Sequence, residues 1–490
     1  MNFISTRGNT TPVPSAAAIK IGLCEDGGLY MPKSLPTFTK EDVTALAKDS
    51  YPVRAAKILS RFLTDYTYEE LLFDTERAYA KERFPKGATV IHPLSDMHVL
   101  ELFGGPTCAF KDMALQIMPR LFVRAQKKCG EDQTALILVA TSGDTGKAAL
   151  EGYRDVPGIK IQVYYPTDGV SEIQKMQMRT QEGDNVSVIA IEGNFDDAQS
   201  GVKRIFSDKA MKEKLAAEGV YLSSANSINF GRLVPQIVYY VSAYCDLLSS
   251  GVITYGDIVN VTVPTGNFGN IFAAYVAKLS GIPLGKLICA SNENNVLTDF
   301  FACGTYDRNR PFHKTISPSM DILISSNLER LLYLVAGPDR TREYMEALAK
   351  DGKYTLAPED LATIRESFVG YYASENDTRT TIREVFEKEK YLIDTHTAVA
   401  VCAARRYRET DKACMLTVST ASPYKFAPDV LSALGEERVD GVAALDALAR
   451  RTGTEIPAPL YALCDKPLRF CTVIDKREME SEVLAFAKNQ

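Results

Sequence analysis

Residues 134–151 read TALILVATSGDTGKAALE. An aliphatic run ends at Thr141 in small hydroxyl residues and two glycines, and an alanine-bearing stretch led by Lys147 follows. A β-like run, a tight turn and a helix start form one α/β step. The turn sits at a helix N-terminus, where backbone N–H groups and the helix dipole favour anions. A triphosphate loop needs four residues between its glycines and a hydroxyl residue after its lysine. Here two residues separate Gly143 from Gly146, and Ala148 follows Lys147. The dinucleotide spacing G-x-G-x-x-G is also missing. The turn therefore suits a carboxylate or a single phosphate, or is simply a strand-to-helix connection.

The pattern repeats outward from this turn. IKIQVYY (159–165) and VSVIAI (186–191) are short apolar runs, with a helix-like stretch at 171–183 where Ser171 and Gln174 fit a capping box. DIVNVTVP (257–264), a Gly-rich turn, IFAAYVAKLSG (271–281) and KLICASN (286–292) continue the alternation. Strands alternating with helices predict open parallel sheets flanked by helices, with ligands beyond the carboxyl ends of the strands. The expected fold class is α/β, with two open parallel-sheet units and a mainly helical N-terminal domain. The expected divisions are 1–92 (N-terminal), 93–133 (a segment of the large unit carrying Lys111), 134–240 (small unit), 241–430 (large unit) and 431–490 (helical cap).

Composition narrows the function. A net charge of -6 gives no basic footprint for nucleic acid. No apolar stretch approaches the ~18 residues needed to span a membrane, and the N-terminus has no secretory pattern. Ten scattered cysteines without C-x-x-C, with only four histidines, argue against a metal site and for a reducing, cytoplasmic setting. Monomer and homodimer both stay open.

Four further segments carry chemistry. PTGNFGN (264–270) places Gly266 and Gly269 between a strand and a helix, a cup for a phosphate. ELFGGPTCAFKDM (101–113) surrounds Lys111 with apolar residues; the bland reading is a surface lysine paired with Asp112, the sharper one a partly desolvated amine able to form a Schiff base. Such a lysine with a phosphate cup is the pairing that pyridoxal 5'-phosphate (PLP) requires. SANSINFGR (224–232) offers Asn226, Ser227 and Arg232, a second phosphate grip or an ordinary helix cap. MLTVSTASPYKF (415–426) ends a strand in Ser419, Thr420 and Ser422, hydroxyls able to meet a ring nitrogen. His396 reads as part of a helix start, and no Ser-His-Asp arrangement is present.

Together with STRG (5–8), GLCEDGGLYMP (22–32) and THTAVA (395–400), these segments resemble the threonine synthase family, of the tryptophan-synthase-β fold (PLP fold type II). The resemblance runs over almost the whole chain, in the family's order. It implies that Lys111 holds PLP and that Gly266, Asn267, Phe268, Gly269 and Asn270 hold its phosphate. It implies that Asp144 lies near the ring's phenolic oxygen and Thr420 near its nitrogen. Thr141, Ser142 and Thr145 would line the substrate side, with Asn226, Ser227 and Arg232 on the phosphate of O-phospho-L-homoserine. The implied reaction gives L-threonine and phosphate; a dehydratase, a phospholyase of the same fold, or a non-catalytic sensor are the alternatives. The chain departs from the family at Gly104, where His is common, and at Thr395, where Pro is common.

Overall fold

The computed structural model describes residues 1–8, 10–141 and 143–488. Two sheets dominate. The smaller is wholly parallel, in the order Val473–Asp475, Val186–Glu192, Ile159–Pro166, Thr134–Ala140, Val220–Ser223. The larger runs Phe368–Tyr372, Leu284–Ser291, Val259–Pro264, Cys414–Ser419, His98–Glu101, Val90–Pro93, parallel except for the last pair. Central strands such as Thr134–Ala140 and Val259–Pro264 are buried almost throughout because helices cover both faces. The expected pair of open parallel units is what the chain forms.

The N-terminal region is mainly helical, with Ser15–Ile21, Lys40–Leu46, Tyr51–Phe62 and Tyr68–Ala78, and adds a small antiparallel sheet of Val13–Pro14, Asn2–Ser5 and Tyr30–Pro32. The details depart from the expected divisions in three places. The edge strand Val90–Pro93 belongs to the large sheet, so a division at 92/93 cuts its hairpin with His98–Glu101. A division at 240 falls inside the helix Phe230–Ser249, which is buried along nearly its whole length. That helix leaves the small unit and packs against Tyr51–Phe62 and Gly269–Leu279.

The C-terminal segment is not a purely helical cap. Its helix Ala443–Thr452 buries Leu445 and Leu448 in the core of the large unit. It then adds the strand Val473–Asp475 to the small sheet. The helix Met479–Lys488 seats Met479 and Val483 against the outer face of that sheet. Three residues of strand carry too little alternation to be read from sequence. Among the described residues, no helix is long and apolar enough to cross a membrane, and no His/Cys/Asp/Glu group could hold a metal.

Candidate active site

The two sheets face a shared cavity of about 1110 Å³ at the carboxyl ends of their strands. Lys111, Thr141, Asp144, Thr145, Asn226, Ser227, Arg232, the run Gly266 to Asn270 and Thr420 all line it. Every predicted site residue is therefore in one place except Ser142, which lies outside the described residues.

Lys111 caps the short helix Asp112–Leu115. Its loop is zipped to the end of the strand Cys414–Ser419: Leu102 N–H donates to the Ser419 carbonyl (3.0 Å), Phe110 N–H to that of Thr420 (2.8 Å), and Ser422 N–H to that of Cys108 (3.0 Å). This brings Lys111 and Thr420, 309 residues apart in number, to one wall. Gly105 is required here, because a Cβ would lie 2.6 Å from the Asp112 carboxylate. Asp112 is held by Thr107 N–H and Oγ1–H, both at 2.8 Å. It faces Thr107, so the surface pairing of Lys111 with Asp112 does not occur. Burial pushes the Asp112 carboxyl up to about 6 against those hydrogen bonds.

Lys111 instead meets Asp144 Oδ2 at 3.3 Å and has 11% of its side chain exposed. Its Nζ also lies 4.9 Å from the centre of the Phe110 ring. Burial lowers the Lys111 amine below the ordinary lysine value; the Asp144 charge opposes this, and the Lys425 and Arg232 cations reinforce it. The partly desolvated amine read from the sequence is what the fold builds.

Asp144 is the first residue of the helix Asp144–Tyr153. Its Oδ1 accepts from Gln174 Nε2 (2.8 Å) and pairs with Lys425 Nζ (2.6 Å). Burial alone would raise this carboxyl, but Lys425 and Lys111 hold it well below the usual range. The same Gln174 completes the capping box with Ser171, so a helix cap also orients Asp144. The turn around Asp144 differs from the anion cup that its glycines suggested. Thr141 Oγ1 accepts the N–H groups of Gly143 and Gly146, both at 2.9 Å. Two donors are thus used within the loop, and the carboxylate makes this helix start a seat for cations.

The second turn keeps its donors. Phe268, at φ 63, turns the chain in the left-handed region before the helix Gly269–Leu279. The first N–H groups of that helix have no intrahelical partner. Gly266 admits close backbone approach, since a Cβ would lie 2.6 Å from the Ser319 carbonyl oxygen. Asn270 receives the Tyr240 hydroxyl on Oδ1 at 2.6 Å, while its buried Nδ2 has no partner.

Arg232 supplies the second unmatched donor. It is 3% exposed, gives one Nη to the Ala225 carbonyl (2.6 Å), and leaves a buried Nε without a partner. Among the described residues no carboxylate pairs with it. Burial lowers its pKa, a cost that a bound anion would offset. Ser227 lies alongside. Its Oγ accepts from Asn327 Nδ2 at 3.0 Å, which leaves its own O–H to donate.

Sequence reasoning missed three residues. Lys425 is one. Asn327 and Arg330 are the others: Asn327 Nδ2 also donates to the Asn267 carbonyl (2.9 Å). The fully buried Arg330 reaches Asn327 Oδ1 and donates to the carbonyls of Ser227 (3.2 Å), Ile228 (2.7 Å) and Tyr30 (3.3 Å). The pair joins both donor turns to the N-terminal region. No local pattern around SSNLER (325–330) announces this; for Lys425 the signal was a lone lysine among Pro423, Tyr424 and Phe426. His396 lies in the first turn of its helix, as read from the sequence, and reaches the cavity wall. Its Nδ1 bonds Asp394 Oδ2 (2.8 Å) and its Nε2 accepts Ser319 N–H (3.1 Å), pinning the loop that covers Gly266. Gly104 leaves room against the Gly87 carbonyl, 3.4 Å from where a Cβ would stand, and Thr395 is fully buried.

A desolvated lysine amine, a turn of free N–H groups against a glycine cradle, and two unmatched buried donors fit a cofactor with a phosphate arm. The chain matches "Threonine synthase N terminus" over residues 2–79, "Pyridoxal-phosphate dependent enzyme" over 99–418 and "Threonine synthase, C-terminal" over 397–483. Threonine synthase-like 1 from Homo sapiens is 42% identical over 433 residues, which are 85% of this chain and 57% of that relative. The chain thus spans little more than half the length of that relative. Threonine synthase from Pseudomonas aeruginosa is 38% identical over 445 residues, 89% of this chain and 90% of its own. The crystal structure of a PLP-bound threonine synthase from Brucella melitensis has a TM-score of 0.88 and 36% identity, covering 100% of both chains. On sequence, fold and the make-up of its cleft, the chain belongs to the threonine synthase family of pyridoxal-phosphate-dependent enzymes.

Proposed function

We propose that this enzyme converts O-phospho-L-homoserine and water to L-threonine and phosphate, in the cytoplasm, where its ten free cysteines stay reduced. The observation that carries the reading is Arg232: a buried guanidinium with no carboxylate partner among the described residues, in the same cavity as Lys111 and the Gly266 turn. One cleft thus has separate grips for two anionic groups, as a phosphorylated substrate beside a phosphorylated cofactor requires.

Lys111 would carry PLP. Gly266, Asn267, Phe268, Gly269 and Asn270 would hold its phosphate, with Thr420 at the ring nitrogen and Asp144 on the side of the phenolic oxygen. PLP supplies an electron sink for the carbanion at the substrate α-carbon. The chain's residues do the rest. Arg232 and the Ser227 hydroxyl, with Asn226 beside them, bind the substrate phosphate and steady it as it leaves from Cγ. Thr141 and Thr145 line the amino-acid end. The Lys111 amine, lowered by burial, takes protons from Cα and Cβ and returns one to Cγ after the phosphate has left and one to Cα at the end, which an ordinary lysine would do poorly near neutral pH. Water then adds at Cβ.

Substrate choice tests the reading. O-Phospho-L-homoserine is expected to turn over, and L-homoserine, L-serine and L-threonine not. Turnover of the hydroxyamino acids at comparable kcat/KM would instead identify a dehydratase.

A further inference from the structure

Lys425 has no part in the reaction as described above, yet it is fully buried, at 0% exposure, beside the cofactor lysine. It sits on the one-turn helix Pro423–Phe426, directly after the hydroxyl-rich strand end that faces the cavity. Its Nζ has two acceptors: Asp144 Oδ1 at 2.6 Å and the Thr107 carbonyl at 3.0 Å. The other oxygen of Asp144 belongs to Lys111. One carboxylate from the small unit therefore lies between two ammonium groups of the large unit. Gln174 Nε2 fixes its rotation, and Gln177 Nε2 donates to the same Thr107 carbonyl at 3.2 Å.

From this geometry we infer that Lys425 is a positioning residue that sets the charge state of Lys111. A carboxylate facing Lys111 alone would hold the proton on it and spoil it as a base. A second cation on the same carboxylate takes up much of that attraction and repels a proton on Lys111. Burial adds to the effect, because charges interact more strongly away from water. The other charged or titratable groups around the pair are Arg232 on the cavity wall, Asp112 and Cys108 in the Lys111 loop, and Lys147 with Glu151 on the Asp144 helix. Lys147 is matched by Glu151 at 3.3 Å, and Asp112 by Thr107, which leaves Lys425 as the cation bonded to the same carboxylate as Lys111.

The inference rests on Lys111 carrying the cofactor, and the test separates the two claims. Holoenzyme is first reduced with borohydride and digested; the cofactor fixed on a peptide without Lys111 would remove the foundation. With the cofactor on Lys111, absorbance of the bound cofactor and kcat are followed against pH for wild type and for Lys425→Met, Lys425→Gln and Lys425→Arg. Loss of the cation is expected to move the acid limb of kcat and the absorbance midpoint to higher pH by about one unit or more. Lys425→Arg keeps the wild-type values, and KM for O-phospho-L-homoserine changes little. If Lys425→Met does not fold, Lys425→Gln carries the comparison. Neutral variants that lose thermal stability but keep both wild-type midpoints would show Lys425 to be structural only and overturn the inference.

Discussion

Two turns in this molecule share one backbone plan and do opposite work. TSGDTGK (141–147) and PTGNFGN (264–270) each lead from a buried parallel strand past one glycine, Gly143 or Gly266, into a helix whose first turn holds the other, Gly146 or Gly269. In the first, Thr141 takes up the N–H groups of Gly143 and Gly146, and Asp144 faces two lysines. In the second, no carboxylate stands in the turn, Phe268 adopts the left-handed region, and Gly266 leaves room for backbone approach. A strand–glycine–helix pattern therefore does not by itself say which ligand a turn suits. The charge of the first helical residue decides which sign of ligand it holds.

The comparison can be broken most severely at its centre. Lys111→Ala is expected to lose all borohydride-fixable cofactor and to cut kcat by on the order of 10²–10⁴-fold or more, measured by mass spectrometry and by product formation. Arg232→Ala is expected to remove the proposed grip on the substrate phosphate. KM for O-phospho-L-homoserine should rise about 10–100-fold, as for a lost charged hydrogen bond, with PLP affinity unchanged; an unaltered KM would defeat the role of Arg232.

The glycines separate the turns further. Gly266→Ala forces a Cβ toward the Ser319 backbone oxygen. An overpacking cost of about 1–3 kcal/mol should loosen PLP roughly 5–100-fold in equilibrium dialysis. The residue that links the two donor turns should give the smaller, broader effect. Asn327→Ala is expected to weaken PLP and raise KM together by several-fold, about 1 kcal/mol each. A change in only one of the two constants would show that the turns are not coupled through Asn327.

The pH profile is the mildest probe. A lowered Lys111 amine is neutral, and able to act as a base, above its shifted value, so kcat should rise with pH through a limb below the ordinary lysine value of 10.5. Asp144 stays ionised throughout because its carboxyl is held low. A limb at the ordinary lysine position would mean that the amine is not desolvated in the working enzyme.

The legible part of the molecule was the part written in local pattern. The continuous apolar run ILVA and the β-branched VNVTVP announced parallel strands, and glycine spacing marked both turns. Lys111 stood out through its apolar neighbours. What stayed hidden depends on residues distant in the chain. The pairing of Lys425 with Asp144 joins positions 281 residues apart, and neither segment shows it alone. Asn327 and Arg330 act through carbonyl groups, which carry no side-chain signature. The strand Val473–Asp475 exists because the small sheet offers an edge beside Val186–Glu192, not because three residues favour extension.

The central claim is that this cleft holds a phosphorylated amino acid and releases threonine. It is tested most directly by incubating PLP-loaded protein with O-phospho-L-homoserine and following phosphate and threonine together. Equal amounts of both, in step, are the predicted result. Phosphate released with 2-oxobutyrate in place of threonine, or no product from protein that binds PLP, would contradict it.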